Sequence, residues 1–117
     1  MTNLNILSIA RELYIQINNE VLPLLNNMES FSIGNQLSRA SLSICLNIRE
    51  GNSYHDGHKT NLFNVAIGSC EETDECLYLL SLKYKEINYT YYSDKLSHIK
   101  YTLLKIRSIS RIFDGGR

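Results

Sequence analysis

The sequence predicts an all-α protein, an antiparallel up-down-up-down four-helix bundle, and three observations carry the prediction. The 117 residues hold one proline, Pro23, and glycines only at positions 34, 51, 57, 68, 115 and 116, leaving long stretches without a helix breaker. Within those stretches apolar residues recur every three or four positions, the period of an amphipathic helix. No run alternates with a period of two, so a sheet has nothing to be built from. At this length residues 1–117 form one domain, which hides roughly two thirds of its unfolded surface and so has room for an ordinary core.

The first helix is expected over about 4–25, its inward stripe being Leu4, Leu7, Ile9, Ala10, Leu13, Ile17, Val21 and Leu24. Pro23 removes one hydrogen bond near its end and kinks the last turn, and NNMESFSIGNQ then reads as a linker. The second helix spans about 35–50, with Leu37, Ala40, Ser41, Ile44, Cys45 and Ile48 inward. Gly51 stands where a helix C-cap calls for a left-handed residue, and Asp56 is placed to N-cap the third helix. That helix covers about 57–86, with Leu62, Ala66, Ser69, Cys70, Thr73, Cys76, Leu77, Leu80 and Tyr84 on one side. After the polar corner INYTYYSD, where Ser93 or Asp94 caps, the fourth helix runs over about 94–113. It buries Leu96, Ile99, Leu103, Ile106, Ser110 and Phe113, and the tail DGGR is expected to be loose.

Twelve basic and twelve acidic residues cancel, which argues against a chain that coats itself in nucleic acid. Their distribution is uneven. Residues 1–82 carry four basic and nine acidic side chains, net about −5, and residues 83–117 carry eight and three, net about +5. Cys45, Cys70 and Cys76 are odd in number and lie in apolar periodic stretches, the pattern of reduced buried thiols rather than of a disulfide frame or a zinc site. MTNLNILSIARELY has neither a basic lead nor an apolar block, and no stretch approaches eighteen apolar residues. The expectation is a cytoplasmic protein with no membrane partner.

The run QLSRASLSICLNIREGNS, followed by LFNVAIGSCEETDECLYLL, resembles the four-helix-bundle family encoded in intervening sequences of bacterial 23S ribosomal RNA genes. The matching positions are Gln36, Leu37, Arg39, Ala40, Ser43, Ile44, Asn47, Ile48, Glu50 and Gly51, then Phe63, Ala66, Gly68, Ser69 and Glu72. Ser38, Arg49 and Thr73 depart from the family pattern. The resemblance implies an antiparallel bundle that assembles as a ring-shaped homopentamer. It also implies a relation to the accessory bundle protein of diversity-generating retroelements, which forms a similar ring and works with a reverse transcriptase and nucleic acid. It implies no established reaction and no cofactor.

The residues themselves offer several sites. His55, Asp56 and His58 have the look of a metal set, but HxxH across a turn without a cysteine partner reads better as a solvated corner in which Asp56 caps. Asn47 and Glu50 share a flank of their helix with Ser43, and a turn near residue 53 sets them level with the start of the third helix. There they are expected to tie down its open amides, a subunit interface being the alternative. By the same register Arg39 lies within a turn of Glu72, placing a bidentate pair between helices two and three, and Gly68 and Ser69 let the two backbones approach. Glu71, Glu72, Asp74 and Glu75 lack the HxxE spacing of di-iron bundles and read as a solvated or intersubunit acidic face. Lys100, Arg107 and Arg111, with Lys95, Lys105 and Arg117, form a basic stripe that tracks phosphates, docks on the acidic half of another copy or is an ordinary wet face. Tyr89, Tyr91, Tyr92 and Tyr101 stand near it to stack on bases. The reading is a non-enzymatic homo-oligomer that serves as a binding or scaffold module, with RNA or DNA, a reverse transcriptase or another protein as partner. Its rivals are a purely structural oligomer and a metal-dependent bundle built on Glu50, His55, His58 and Glu72.

Overall fold

The computed structural model describes the backbone of residues 3–115 and the side chains of residues 5–107. Among the described residues every regular element is helical. Helix α1 (Asn3–Gln16) runs on through a π turn (Ile17–Val21) and a 3-10 turn (Leu22–Leu24). The single-turn α2 (Asn27–Glu29) leads through a second π turn (Ser30–Gly34) into α3 (Asn35–Gly51), and α4 (Gly57–Lys83) and α5 (Tyr89–Gly115) complete the chain. The four long helices close a circuit: α3 lies against α4, α4 against α5, and α1 against both α3 and α5. They enclose one elongated core in a body of 53 × 23 × 19 Å.

The periodic stripes define that core. Leu7, Ala10, Leu13, Ile17 and Val21 of the first helical run, Leu37, Ala40, Ser41, Ile44 and Ile48 of α3, and Ala66, Ser69, Cys70, Thr73, Leu77 and Leu80 of α4 are all buried. So are Leu96, Ile99 and Leu103 of α5, while Leu4, Ser110 and Phe113 lie outside the described side chains. Ile6 and Phe63, which the stripes omitted, are also fully buried. Thr73 is tolerated there because its hydroxyl donates to the Ser69 carbonyl at 2.7 Å, so no polar atom is stranded.

The elements differ from expectation at four places. First, the opening helix does not run straight to 25. It widens before Pro23, the Leu22 N–H reaching the Ile17 carbonyl five residues back, and Pro23 then sits in the first turn of the 3-10 segment, where a missing N–H breaks nothing. The Asn18 amide donates to the Tyr14 carbonyl at 2.8 Å across the widened turn.

Second, the expected linker is helical and capped. Asn26 Oδ1 accepts the Glu29 N–H at 2.9 Å, and the Glu29 carboxylate accepts the Asn26 N–H at 3.4 Å. Glu29 also accepts from Lys83 Nζ at 2.8 Å and from the Tyr84 hydroxyl, fastening this corner to the end of α4. Lys83 first, and then Tyr84, hold the Glu29 carboxyl below the usual carboxylate range.

Third, Gly51 is not a left-handed cap. No described residue has a positive φ, and Gly51 ends α3 in helical conformation, with Asn52 as the C-cap at φ −64° and ψ −17°. Its role is close approach: a Cβ there would stand 2.5 and 2.7 Å from ring carbons of Phe63.

Fourth, α4 ends at Lys83, Tyr84 turning extended, and α5 starts at Tyr89 rather than near 94. The cap is Asn88, whose Oδ1 accepts the Tyr91 N–H at 3.2 Å. Ser93 and Asp94 are interior to the helix because the tyrosines ahead of them anchor it: Tyr89 donates to Asp74 at 2.8 Å and the buried Tyr92 to Glu20 at 2.9 Å.

Candidate functional site

The motif residues converge on the seam between α3 and α4. Gln36, Arg39, Ala40 and Ser43 from α3 face Ser69 and Glu72 from α4 across a shallow cleft of about 240 Å³. Helical spacing explains the grouping, since 36, 39, 40 and 43 fall on one flank of α3 and 69 and 72 on one flank of α4. The floor is a short polar chain in which Ser69 Oγ donates to Ser43 Oγ at 2.8 Å. Asn47 Nδ2 donates to the same oxygen at 3.0 Å and to the Ser43 carbonyl at 2.8 Å.

Three expectations at this seam are corrected. Arg39 and Glu72 line the same cleft without forming the bidentate pair: the charged contacts among the described residues are Lys83–Glu29 at 2.8 Å and His58–Asp56 at 3.1 Å. Gly68 is not a notch between the helices, because a Cβ there would meet no atom within 4 Å. Its presence inside α4 still costs about 1 kcal/mol of helix propensity relative to alanine. Asn47 and Glu50 do not fasten the start of α4 either. Asn47 bonds back within α3, Glu50 lies exposed, and Asp56 alone performs the fastening, accepting the His58 N–H at 3.0 Å. That bond, with the His58 ring nitrogen at 3.1 Å, keeps the Asp56 carboxyl below its usual range.

The exposed apolar side chains of α3 and α4 include Leu46 at 58%, Val65 at 51% and Leu79 at 47%.

Among the basic residues of α5, Lys100 and Arg107 share the side toward α4, while Lys105 stands on another side. Lys100 lines a cleft of about 190 Å³ between α4 and α5 with Glu71, Asp74, Ser93 and Ser97. Arg107 is half-buried and donates to Asn64 Oδ1 at 2.7 Å. Lys95 sits over the Tyr91 ring at 5.0 Å. Lys105 faces outward beside His98 and Tyr101, and Tyr101 is 63% exposed. Arg111 and Arg117 lie outside the described side chains. Of the tyrosines expected to stack on bases, Tyr92 is in the core with its hydroxyl on Glu20, so Tyr101 is the one presented most openly.

Among the described residues no group of three or more His, Cys, Asp or Glu side chains is placed to hold a metal ion. Burial pushes the Cys70 thiol up to about 12 and raises Cys45 and Cys76 as well, which leaves the thiols protonated at neutral pH and poor nucleophiles. No described helix is long and apolar enough to cross a membrane.

With this geometry in place, comparison with known proteins is informative. The family described as 23S rRNA-intervening sequence protein matches residues 2–106, reaching past the motifs of α3 and α4 well into α5 but stopping short of Arg107 and Arg111. A crystal structure of a protein of unknown function from the S23 ribosomal protein family of Bacteroides thetaiotaomicron superimposes with a TM-score of 0.80 at 24% identity. The match covers 92% of this chain and 99% of that one, a likeness of fold. No curated protein matches the chain.

Proposed function

The chain belongs to the 23S rRNA-intervening sequence protein family, and from that premise we propose that it is a non-enzymatic, self-assembling four-helix bundle serving as a cytoplasmic binding or scaffold module. The observation that carries this reading is the amount of large apolar side chain held rigidly in solvent. Met28 and Phe31 are 82% and 80% exposed on a corner that Glu29 clamps through Asn26, Lys83 and Tyr84. Rigid apolar display on a small domain marks a contact surface. The acidic bias of residues 1–82 and the basic bias of residues 83–117 favour head-to-tail association, which closes into a ring when the rotation permits. Five copies is the number that the family resemblance implies. An antiparallel up-down-up-down bundle belongs to the same reading. It is supported by Gly51 meeting Phe63 while Ser43 meets Ser69, and by Asn64 meeting Arg107 while Asp74 meets Tyr89.

Sedimentation velocity tests the proposal. A closed ring gives one species at a fixed multiple of 13.5 kDa whose mass does not change with loading concentration. A single 13.5 kDa species at tens of micromolar would refute it.

One observation favours a second reading, in which the module binds nucleic acid. Lys105, His98 and Tyr101 share the outward side of α5, giving a cation and an open ring next to each other, the pairing that holds unstacked bases. The relation to retroelement accessory bundles that the resemblance implies would extend this reading to a reverse transcriptase as partner. Single-stranded RNA affinity that falls steeply with salt, and falls again in a Tyr101→Ala, Lys105→Ala double variant, is the expected result. Affinity indifferent to both removes it.

A further inference from the structure

We infer that the side of α4 turned away from the core receives the outward side of α5 from a second copy of this chain, with Lys105 of one protomer against Glu75 of the next and Tyr101 against Leu79. The contact rests on the self-assembly reading and gives it a location on two different faces, one from each partner.

Both faces follow from helical geometry. On α4 the buried Thr73, Leu77 and Leu80 are each followed two positions later by Glu75, Leu79 and Leu82, a step of about 200° that carries these to the opposite side. There Leu79 is 47% and Leu82 56% exposed. On α5 the same step leads from the buried Tyr92, Leu96, Ile99 and Leu103 to Asp94, His98, Tyr101 and Lys105, all exposed. These four line a shallow hollow of about 530 Å³.

Charge decides how the two faces meet. Along α4 the order is acid, apolar, base: Glu72 and Glu75, then Leu79 and Leu82, then Lys85, whose Nζ reaches back to the Leu82 carbonyl at 3.2 Å. Along α5 it is Asp94, then His98 and Tyr101, then Lys105 about 16 Å from the aspartate. None of these charged groups belongs to either ion pair among the described residues, Lys83–Glu29 and His58–Asp56. Laid antiparallel, 75, 79 and 82 fall level with 105, 101 and 98, both sets being spaced four and then three. Lys105 then meets Glu75, Tyr101 lies on Leu79, and Asp94 comes one turn beyond Leu82, beside Lys85. Laid parallel with Tyr101 again on Leu79, Asp94 falls level with Glu72 and Lys105 with Lys83, so like charges meet. The α4 face repels a polyanion through Glu72 and Glu75, whereas a second copy supplies the charges and the ring that match it.

The antiparallel sense also suits a ring. In the antiparallel bundle α5 runs against α4, as Arg107 on Asn64 and Tyr89 on Asp74 support. An antiparallel contact between α4 of one copy and α5 of the next therefore leaves both bundles pointing the same way. Each copy gives one face and keeps the other free, so the contact repeats head to tail and does not end at a pair.

The test compares the wild type with Lys105→Glu, Glu75→Lys, the double reversal K105E/E75K and Leu79→Gln by sedimentation velocity, with circular dichroism to check the fold. Lys105, Glu75 and Leu79 are exposed, and no ion pair among the described residues is lost with them. Each single reversal is expected to raise the dissociation constant about tenfold, the double reversal to recover most of that loss, and Leu79→Gln to weaken assembly with helicity intact. If the wild type assembles and the variants assemble alike, the α4–α5 contact is refuted and the self-assembly reading stands. Loss of single-stranded RNA binding in Lys105→Glu with assembly unchanged refutes the contact too, and assigns the α5 face to nucleic acid. If the wild type sediments as one chain, both the contact and the self-assembly reading fall.

Discussion

At the residue scale the two helical glycines make opposite predictions. Gly51→Ala drives a methyl into the Phe63 ring, and overpacking of this kind lowers the unfolding free energy by about 1–3 kcal/mol in urea titration. Gly68→Ala places its methyl in open space and raises the unfolding free energy by up to about 1 kcal/mol in the same titration. The sequence showed that both positions matter but reversed their roles, reading Gly51 as a left-handed cap and Gly68 as the place of close approach. A glycine carries no mark of its φ, and which side chain stands over it depends on a partner helix. Two carboxylates set an acid limit. Glu29 and Asp56 are both held below their ordinary values of 4.5 and 3.8, Glu29 chiefly by Lys83 and Asp56 chiefly by the His58 N–H. A lowered carboxyl contributes stability that is present above its unfolded value and is lost as pH falls through the lower folded value. Stability should therefore decline below about pH 4.5 in the wild type. A Glu29→Gln, Asp56→Asn double variant should show a flatter acid limb in denaturation midpoints taken across that range.

At the element scale the start of α5 is the informative case. The expected cap of the corner INYTYYSD is Ser93 or Asp94; Asn88 and Thr90 are capping residue types as well, and composition alone does not rank the four. The choice falls to Asn88 because starting there places Tyr92 in the core and lets Tyr89 and Tyr92 reach carboxylates on neighbouring helices. Asn88→Ala should cost about 1 kcal/mol, read from thermal melts. Elements without such competition were legible. The stripes of α3 and α4 came from apolar spacing alone, and the Asp56 cap from its position before a periodic run. Asn26 was legible in principle, since Asn-x-x-Glu spells a capping box, but the run around it carries no apolar period long enough to announce a helix. Phe63 escaped because it lies one position from Leu62, and a stripe assigned to the one excludes the other.

At the scale of the whole molecule, apolar spacing specified four helices around one core, whereas surface chemistry depended on how each helix is turned. Arg39 and Glu72 share a cleft, as their register implied. Whether they bond is settled by side-chain conformation, which spacing does not encode. The basic residues of α5 divide in the same way: Lys100 and Arg107, seven apart, both face α4, one at its cleft and the other at Asn64, while Lys105 faces outward. If the segregated charge of the two chain segments contributes to assembly, raising salt from 50 mM to 500 mM should shrink the assembled fraction, as followed by light scattering; a salt-independent fraction would assign assembly to apolar contact alone. The π turn at Ile17–Val21 bears on how much alteration the molecule can absorb. A π turn holds about one residue more than an α turn, so removing the exposed Asn19 should let the ladder close to ordinary spacing with both flanking stretches keeping their faces. The same excision in the middle of α4 would rotate everything beyond it by about 100° and scatter the seam. Length variation among relatives of this bundle should accordingly be concentrated at the wide turn and rare in the long rods.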